Sequence, residues 1–181
     1  MARTPPDGRF PGNGFTLIEA LITVAILSVT LAIAAPSLSE FSRRQRGIAA
    51  TNLLVTHLHL ARTHAVTHRA TTSVCPSADM STCIAGSDWS SGWIVFFDPR
   101  GNKRPDSASD IIWKESRATN TGISITSTTG RPQVRYLQDG RSSGSNLTVS
   151  ICTQKRLLNQ IIINNAGRAR LARPTQPTPC P

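Results

Sequence analysis

The chain has 181 residues, a formal charge of +10 and a pI of about 11.0. One domain beyond any membrane segment is all that length supports, and so basic a balance favours an anionic partner such as nucleic acid, anionic lipid or an acidic surface over an acidic ligand-binding surface. The four cysteines, Cys75, Cys83, Cys152 and Cys180, form no C-x-x-C pair, which argues against a zinc ribbon or a thioredoxin-type site.

Residues 1–14 are rich in proline and glycine and read as a leader without structure of its own. From Phe15 to Ala35 there are 21 residues with a single charge, Glu19. As a helix this stretch spans about 31 Å, roughly the thickness of a bilayer core. A carboxylate in that setting costs about 3 kcal/mol on insertion scales, so it requires a partner. The segment contains no lysine or arginine, and the partner must come from a chain terminus or another molecule.

Gly14-Phe15-Thr16-Leu17-Ile18-Glu19 resembles the cleavage and methylation signal of type IV pilins and type II secretion pseudopilins. The resemblance implies that a prepilin peptidase cuts between Gly14 and Phe15 and that Phe15 is N-methylated. It also implies that Glu19 meets the new ammonium of Phe15 on a neighbouring pilin as helices pack into a filament. A buried charge is tolerable when matched and very costly alone. Pro36 stands where pilins carry a helix kink. An ordinary signal anchor or cleaved signal peptide is the plainer alternative, but a secretory apolar region is shorter and carries no acid.

The expected organisation is a leader over 1–14, a transmembrane helix over 15–36, an amphipathic helical stalk over 37–70 and a β-rich head over 71–181. The leader is expected in the cytoplasm, the helix in the inner membrane as a single pass, and the head in the periplasm and later at the cell surface. Arg3 and Arg9 precede the membrane segment and Arg43, Arg44 and Arg46 follow it, so the positive-inside rule prefers the reverse orientation. Cysteines that want an oxidising side, and a processing signal that needs a cytoplasmic leader, outweigh it.

In the stalk, Ile48, Val55 and Leu58 fall near one face, with Leu54, Ala61 and Ala65 beside them. Residues 60–66, LARTHAV, resemble the stalk end of the FimT/GspH branch of minor pilins, with His64 where that branch usually has an acid. His64 and His68, one helical turn apart, have the spacing of a metal pair. With no third ligand evident, packing or solvation is the better reading, and no metal or other cofactor is expected.

After Ala70 the texture changes to short β-type runs broken by Gly, Ser, Asn and Asp. Strands are expected over 71–75, 93–97, 111–115, 123–126, 133–137, 147–152 and 160–164. They would form antiparallel sheets packed on the helix, an α+β, pilin-like fold with a long N-terminal helix. The run CPSADMSTC followed by WSSGWIVFFD again resembles the FimT/GspH family. Trp89, Trp93, Phe96 and Phe97 are assigned to the core. An even cysteine count on an exported domain reads as two disulfides. Cys75–Cys83 and Cys152–Cys180 are favoured because each closes a local loop, for roughly 2.5 and 3.5 kcal/mol on the loop-entropy estimate; three connectivities remain open. The run DPRGNKRPDSASD over 98–110 is oxygen-rich, but its acids and amides lack the alternation of a calcium loop and bases interrupt it. It reads as a long solvated hairpin. No nucleophile elbow or P-loop is present, and the chain is expected to be a non-enzyme.

The last third is charge-biased. After Asp139 there is no acid, while Arg141, Lys155, Arg156, Arg168, Arg170 and Arg173 are basic. If Gly167-Arg168-Ala169-Arg170 is extended, the two arginines share a face about 7 Å apart, close to the separation of neighbouring phosphates. Gly167 permits a close backbone approach. The segment resembles the C-terminal GRxR signature of FimT-type minor pilins, which implies DNA binding by Gly167, Arg168 and Arg170 during natural transformation. Lys155, Arg156 and Arg173 join them on electrostatic grounds. No aromatic residue follows Tyr136, so contact with the DNA backbone without sequence preference is expected. The alternatives are an H-type pseudopilin of type II secretion or a pilus-priming structural subunit, neither with a DNA role.

Overall fold

A computed structural model describes residues 15–117 and 122–181. The leader and Gly14 lie outside them, so the expected cleavage site has no structural account here. The chain divides into two compact units, Met1–Glu40 and Phe41–Pro181.

One helix, α1 (Leu17–Thr67), runs through both. Thr16 Oγ1 accepts the Glu19 N–H at 3.3 Å, the cap expected where Thr and Glu stand three apart. Up to Glu40 the helix is mostly apolar and exposed, long and hydrophobic enough to cross a membrane. Its hydroxyls bond back onto the helix: Thr23 to the Ala20 carbonyl, Ser28 to Ala25, Thr30 to Ile26 and Ser37 to Ala34. No hydroxyl in that set needs a partner from lipid. Pro36 lies inside α1.

Within the second unit α1 buries Gly47, Ala50, Thr51, Leu54, His57, Leu58, Ala61 and Ala65, the three-and-four spacing of a single helical face. The expected stripe needs correcting: Ile48 and Val55 are only half-buried at its edge, while Gly47, Thr51 and His57 occupy its centre. Small residues at 47, 50 and 51 let the helix lie close to a strand. A Cβ on Gly47 would collide with the Leu158 side chain, and Asn159 Nδ2 donates to the buried Thr51 Oγ1 at 3.1 Å. The helix ends where Arg69 turns left-handed at φ 49 and Ala70 N–H bonds the Ala65 carbonyl, a Schellman-like stop.

Eight strands follow among the described residues: β1 (Thr72–Pro76), β2 (Gly92–Phe97), β3 (Ile111–Ser116), β4 (Ile123–Ser127), β5 (Val134–Tyr136), β6 (Leu147–Thr153), β7 (Arg156–Ile163) and β8 (Ala169–Ala172). They form two antiparallel sheets, ordered β3-β2-β1-β5 and β4-β6-β7-β8. The seven expected strands form within a few residues of their expected limits. The eighth, β8, was not expected as an element. The α1 stripe and the inner faces of both sheets share one core, including Trp93, Val134 and Tyr136 from the first sheet and Val149, Ile151 and Ile161 from the second.

Cys75, Ile94 and Phe96 make a smaller cluster with Met80 and Cys83 packed on it. The Cys75–Cys83 disulfide closes that loop, and Cys152–Cys180 ties the C-terminus to β6. His64 Nδ1 lies 3.0 Å from Thr72 Oγ1, and its ring stacks on His68 at 4.1 Å. The 98–110 segment is not the fully solvated hairpin expected. Asp98 is buried, 3.5 Å from Arg135 Nε and 3.3 Å from Ser73 Oγ. Asp106 and Asp110 serve local partners instead.

Candidate nucleic-acid interface

The tail is built as the free edge of the second sheet. β8 pairs with β7 in the register Ile163↔Ala169, Ile162↔Arg170, Ile161↔Leu171 and Gln160↔Ala172. Ile161 and Ile163 point into the core, so Ala169 and Leu171 share the inner face and Arg170 stands on the outer one by strand alternation. Arg168, two residues earlier, stands with it. Both are exposed, and neither side chain has an ion-pair partner among the described residues.

Two turns of one design set this edge. In the first, Gly167 N–H bonds the Asn164 carbonyl at 2.9 Å and Asn164 N–H bonds the Arg168 carbonyl at 3.3 Å. In the second, Gly140 N–H bonds the Leu137 carbonyl and Leu137 N–H bonds the Arg141 carbonyl, both at 2.8 Å. Each is a three-residue loop ending in a left-handed glycine, φ 74 at Gly167 and φ 77 at Gly140, the type I turn with a glycine bulge that short hairpins favour. An arginine follows each glycine.

The turns are locked together. Arg62, half-buried on α1, donates through Nε to the Gly140 carbonyl at 3.0 Å and through Nη2 to the Ala166 carbonyl at 3.2 Å. Ser142 N–H bonds the Asn165 carbonyl at 3.0 Å. Sequence reasoning singled out neither Arg62 nor Ser142; nothing local marks a residue whose partners lie 78 and 104 positions away, as those of Arg62 do. Arg141, one of the bases after the last acid, is held by Asp139 on the surface at 2.8 Å, and its backbone N–H, with its charge, lowers the pKa of that carboxyl.

The structure does not gather all the expected bases. Lys155 lies in the tight β6–β7 turn, where Gln154 and Lys155 both have positive φ, and Arg156 opens β7. Gly167 and Arg168 lie past the other end of that strand, about 24 Å away for eight residues of β7. The remaining tail closes this distance. Leu157 N–H bonds the Thr178 carbonyl and Cys180 N–H bonds the Lys155 carbonyl, each at 2.9 Å, so the chain after β8 returns to the start of β7. Between β8 and these contacts, Arg173 is exposed, in a stretch whose prolines, Pro174 and Pro177, have no N–H to give a ladder.

The arrangement is therefore two groups of cations: Arg168 and Arg170 at the edge strand β8, and Lys155 and Arg156 at the turn between the inner strands β6 and β7, with the exposed Arg173 just after β8. Its chemistry is that of a surface for a linear polyanion, with donors for phosphate oxygens and no aromatic platform.

The family model for type II transport protein GspH matches residues 50–167, and that for the prokaryotic N-terminal methylation motif matches residues 12–35. The first ends at Gly167, so Arg168 and Arg170 lie just beyond it. Among solved structures, the type IV minor pilin FimU of Pseudomonas aeruginosa is similar in two crystal forms. One has 19% identity over 76% of this chain and 96% of its own, with a TM-score of 0.56. The other has 20% identity over 71% and 94%, with a TM-score of 0.54. The minor pseudopilin EpsH of the type 2 secretion system of Vibrio cholerae is similar at 14% identity over 72% and 98%, with a TM-score of 0.50. At such identities these likenesses speak for the fold alone. No curated protein matches the chain. With more than half of its length matched by one family model, and a long helix packed on antiparallel sheets, the chain belongs to the type II transport protein GspH family.

Proposed function

We propose that this chain is a minor type IV pilin that binds extracellular DNA without sequence preference for uptake in natural transformation. One observation carries the reading: Arg168 and Arg170 stand exposed, without an ion-pair partner among the described residues, on the outer face of the edge strand, behind a closely docked glycine turn. A preset edge loses little entropy on binding. Arg173, just after β8, and Lys155 and Arg156, at the β6–β7 turn, serve as further phosphate contacts.

In this reading the precursor sits in the inner membrane with its leader in the cytoplasm. Prepilin peptidase cuts after Gly14, and the new Phe15 ammonium pairs with Glu19 of a neighbouring pilin. The head enters the periplasm, where the disulfides form, and reaches the cell surface in a pilus. It performs no catalysis. Mass spectrometry of the mature chain should find methylated Phe15 at its start, and a periplasmic reporter fused after Pro181 should be active; an inactive reporter reverses the orientation.

DNA affinity of the detergent-solubilised chain tests the central claim. A labelled duplex should bind with log affinity falling against log salt at a slope near about −3, for three or four neutralised phosphates. Replacing Arg168 and Arg170 by Gln should abolish binding and leave the fold intact. Undiminished binding by that double variant removes the pair from the site. A second reading, an H-type pseudopilin or priming subunit without a DNA role, is supported by the match to the GspH family model. It requires the unaltered chain to bind DNA no better than the double variant.

A further inference from the structure

Beside the tail, the turn before β5 and the loop over 142–145 enclose an open pocket of about 310 Å³. Lys103, Arg131 and Arg135 line it, and no acid does. Arg135 is balanced by the buried Asp98 carboxylate. Lys103 and Arg131 are not balanced by any ion pair among the described residues. The backbone of Lys103 is held from both sides, its N–H on the Asp98 carboxylate at 3.3 Å and its carbonyl on Gln133 Nε2 at 2.9 Å, while its side chain has no partner among the described residues.

Arg131 is the central group. Its Nη2 donates to Ser142 Oγ and to the Ser143 carbonyl. Its Nη1 is buried and has no hydrogen-bond partner among the described residues. A buried donor left in that state is destabilising, and an oxyanion is the ligand that satisfies it most strongly. Burial also lowers the Arg131 pKa from its ordinary value, the behaviour of a cation short of water and counter-charge. Gly144 lies close against the guanidinium, where a Cβ would rest in ordinary contact 3.5 Å from Arg131 Cζ.

The pocket adjoins the tail. A second hollow, lined by Arg141, Ser142, Asn165 and Ala166, shares Ser143 and Gly144 with it. Asn165 and Ala166 belong to the Gly167 turn. A trough therefore leads from the turn that carries Arg168, past Arg141, to Arg131 and Lys103.

We propose that the Lys103–Arg131 pocket is an oxyanion site that takes a phosphate group. For the source of that group it rests on the DNA reading above, in which a phosphodiester strand on the tail continues along the trough; free inorganic phosphate offers the same tetrahedral oxyanion.

The test uses the full chain in detergent micelles and two readouts. In thermal unfolding, inorganic phosphate should raise Tm above chloride of equal ionic strength. Ser145→Glu, which sets a carboxylate at the pocket rim and removes none of the hydrogen bonds described, should abolish that difference. With a labelled duplex, Lys103→Gln and Ser145→Glu should each weaken binding about 3- to 10-fold and reduce the salt slope by about 1. Tm in chloride shows that each variant is folded. If the unaltered chain binds DNA and loses it with Arg168 and Arg170, yet shows no phosphate effect and no change with either pocket variant, the pocket is overturned and the tail reading stands. If phosphate stabilises a chain without DNA affinity, and Ser145→Glu abolishes this, the site stands with free phosphate as its occupant and the tail reading falls. A pocket effect seen with DNA and not with phosphate assigns the site to the phosphodiester.

Discussion

Gly167 backs onto Gly140 so closely that a Cβ on Gly167 would run into the Gly140 carbonyl oxygen. The glycine of the tail motif is thereby explained without a ligand. It lets two left-handed turns dock, and the docking fixes where the following arginine begins. Gly167→Ala meets both the positive φ and that backbone oxygen, which no rotamer change relieves. We expect a loss of roughly 1–3 kcal/mol, read as a lower Tm, together with weaker DNA binding although both arginines remain.

Arg62 is the only side chain among the described residues that bonds both turns. Arg62→Gln should destabilise by about 1.5–3 kcal/mol, the scale of hydrogen bonds from a charged donor. Hydrogen exchange should show the effect as faster exchange at the Gly140, Ser142 and Gly167 amides, with the strand amides of the first sheet unchanged. Equal protection in the two proteins would mean that the turns hold each other without the clamp.

The two disulfides separate stability from function. Cys152–Cys180 closes 28 residues and Cys75–Cys83 closes 8, for roughly 3.5 and 2.5 kcal/mol. Replacing either pair by Ser should lower Tm. Only the Cys152/Cys180 pair should also weaken DNA binding, because it anchors the return of the tail beside β7. The Cys75/Cys83 variant serves as the control, since its loop covers the other face of the first sheet.

His57 makes stability depend on pH. It is buried, and its Nδ1 accepts the Trp93 indole N–H at 2.9 Å. Burial lowers its pKa from the ordinary 6.5, and His64 is lowered likewise by burial and by His68. The unfolded chain binds these protons first as pH falls. Their contribution to stability is therefore complete above about pH 6.5 and is lost below it, down to the depressed folded values. Protonated His57 would also turn a donor toward the indole donor. Unfolding titrations should show stability falling from pH 7 to pH 5, with a shallower fall in His57→Gln. An unchanged slope in that variant would remove His57 from the account.

Much of the fold was readable because its signals are local. The strands of both sheets are apolar runs bounded by turn residues, and the 15–35 stretch is set apart by its composition. β8 escaped notice because an edge strand needs only one apolar face, and Ala169–Ala172 offers only Ala169, Leu171 and Ala172 around Arg170. The centre of the helical stripe was misjudged because close helix–strand approach selects small residues such as Gly47 and Thr51, which a search for large apolar side chains passes over. Asp98 read as solvated because its partner, Arg135, lies on a strand far along the chain.

The long apolar helix with its lone Glu19, the sheet-rich head and the stretch without acids after Asp139 are legible in the residues alone, since composition and period record them directly. Which bases stand together is a product of the folded chain. β7 sets Lys155 and Arg156 at the far end from Arg168, and the docked turns bring Arg62, Arg141 and the Arg131 pocket beside the tail. Burial and juxtaposition come from chain segments meeting across the core, and no run of residues carries that information alone.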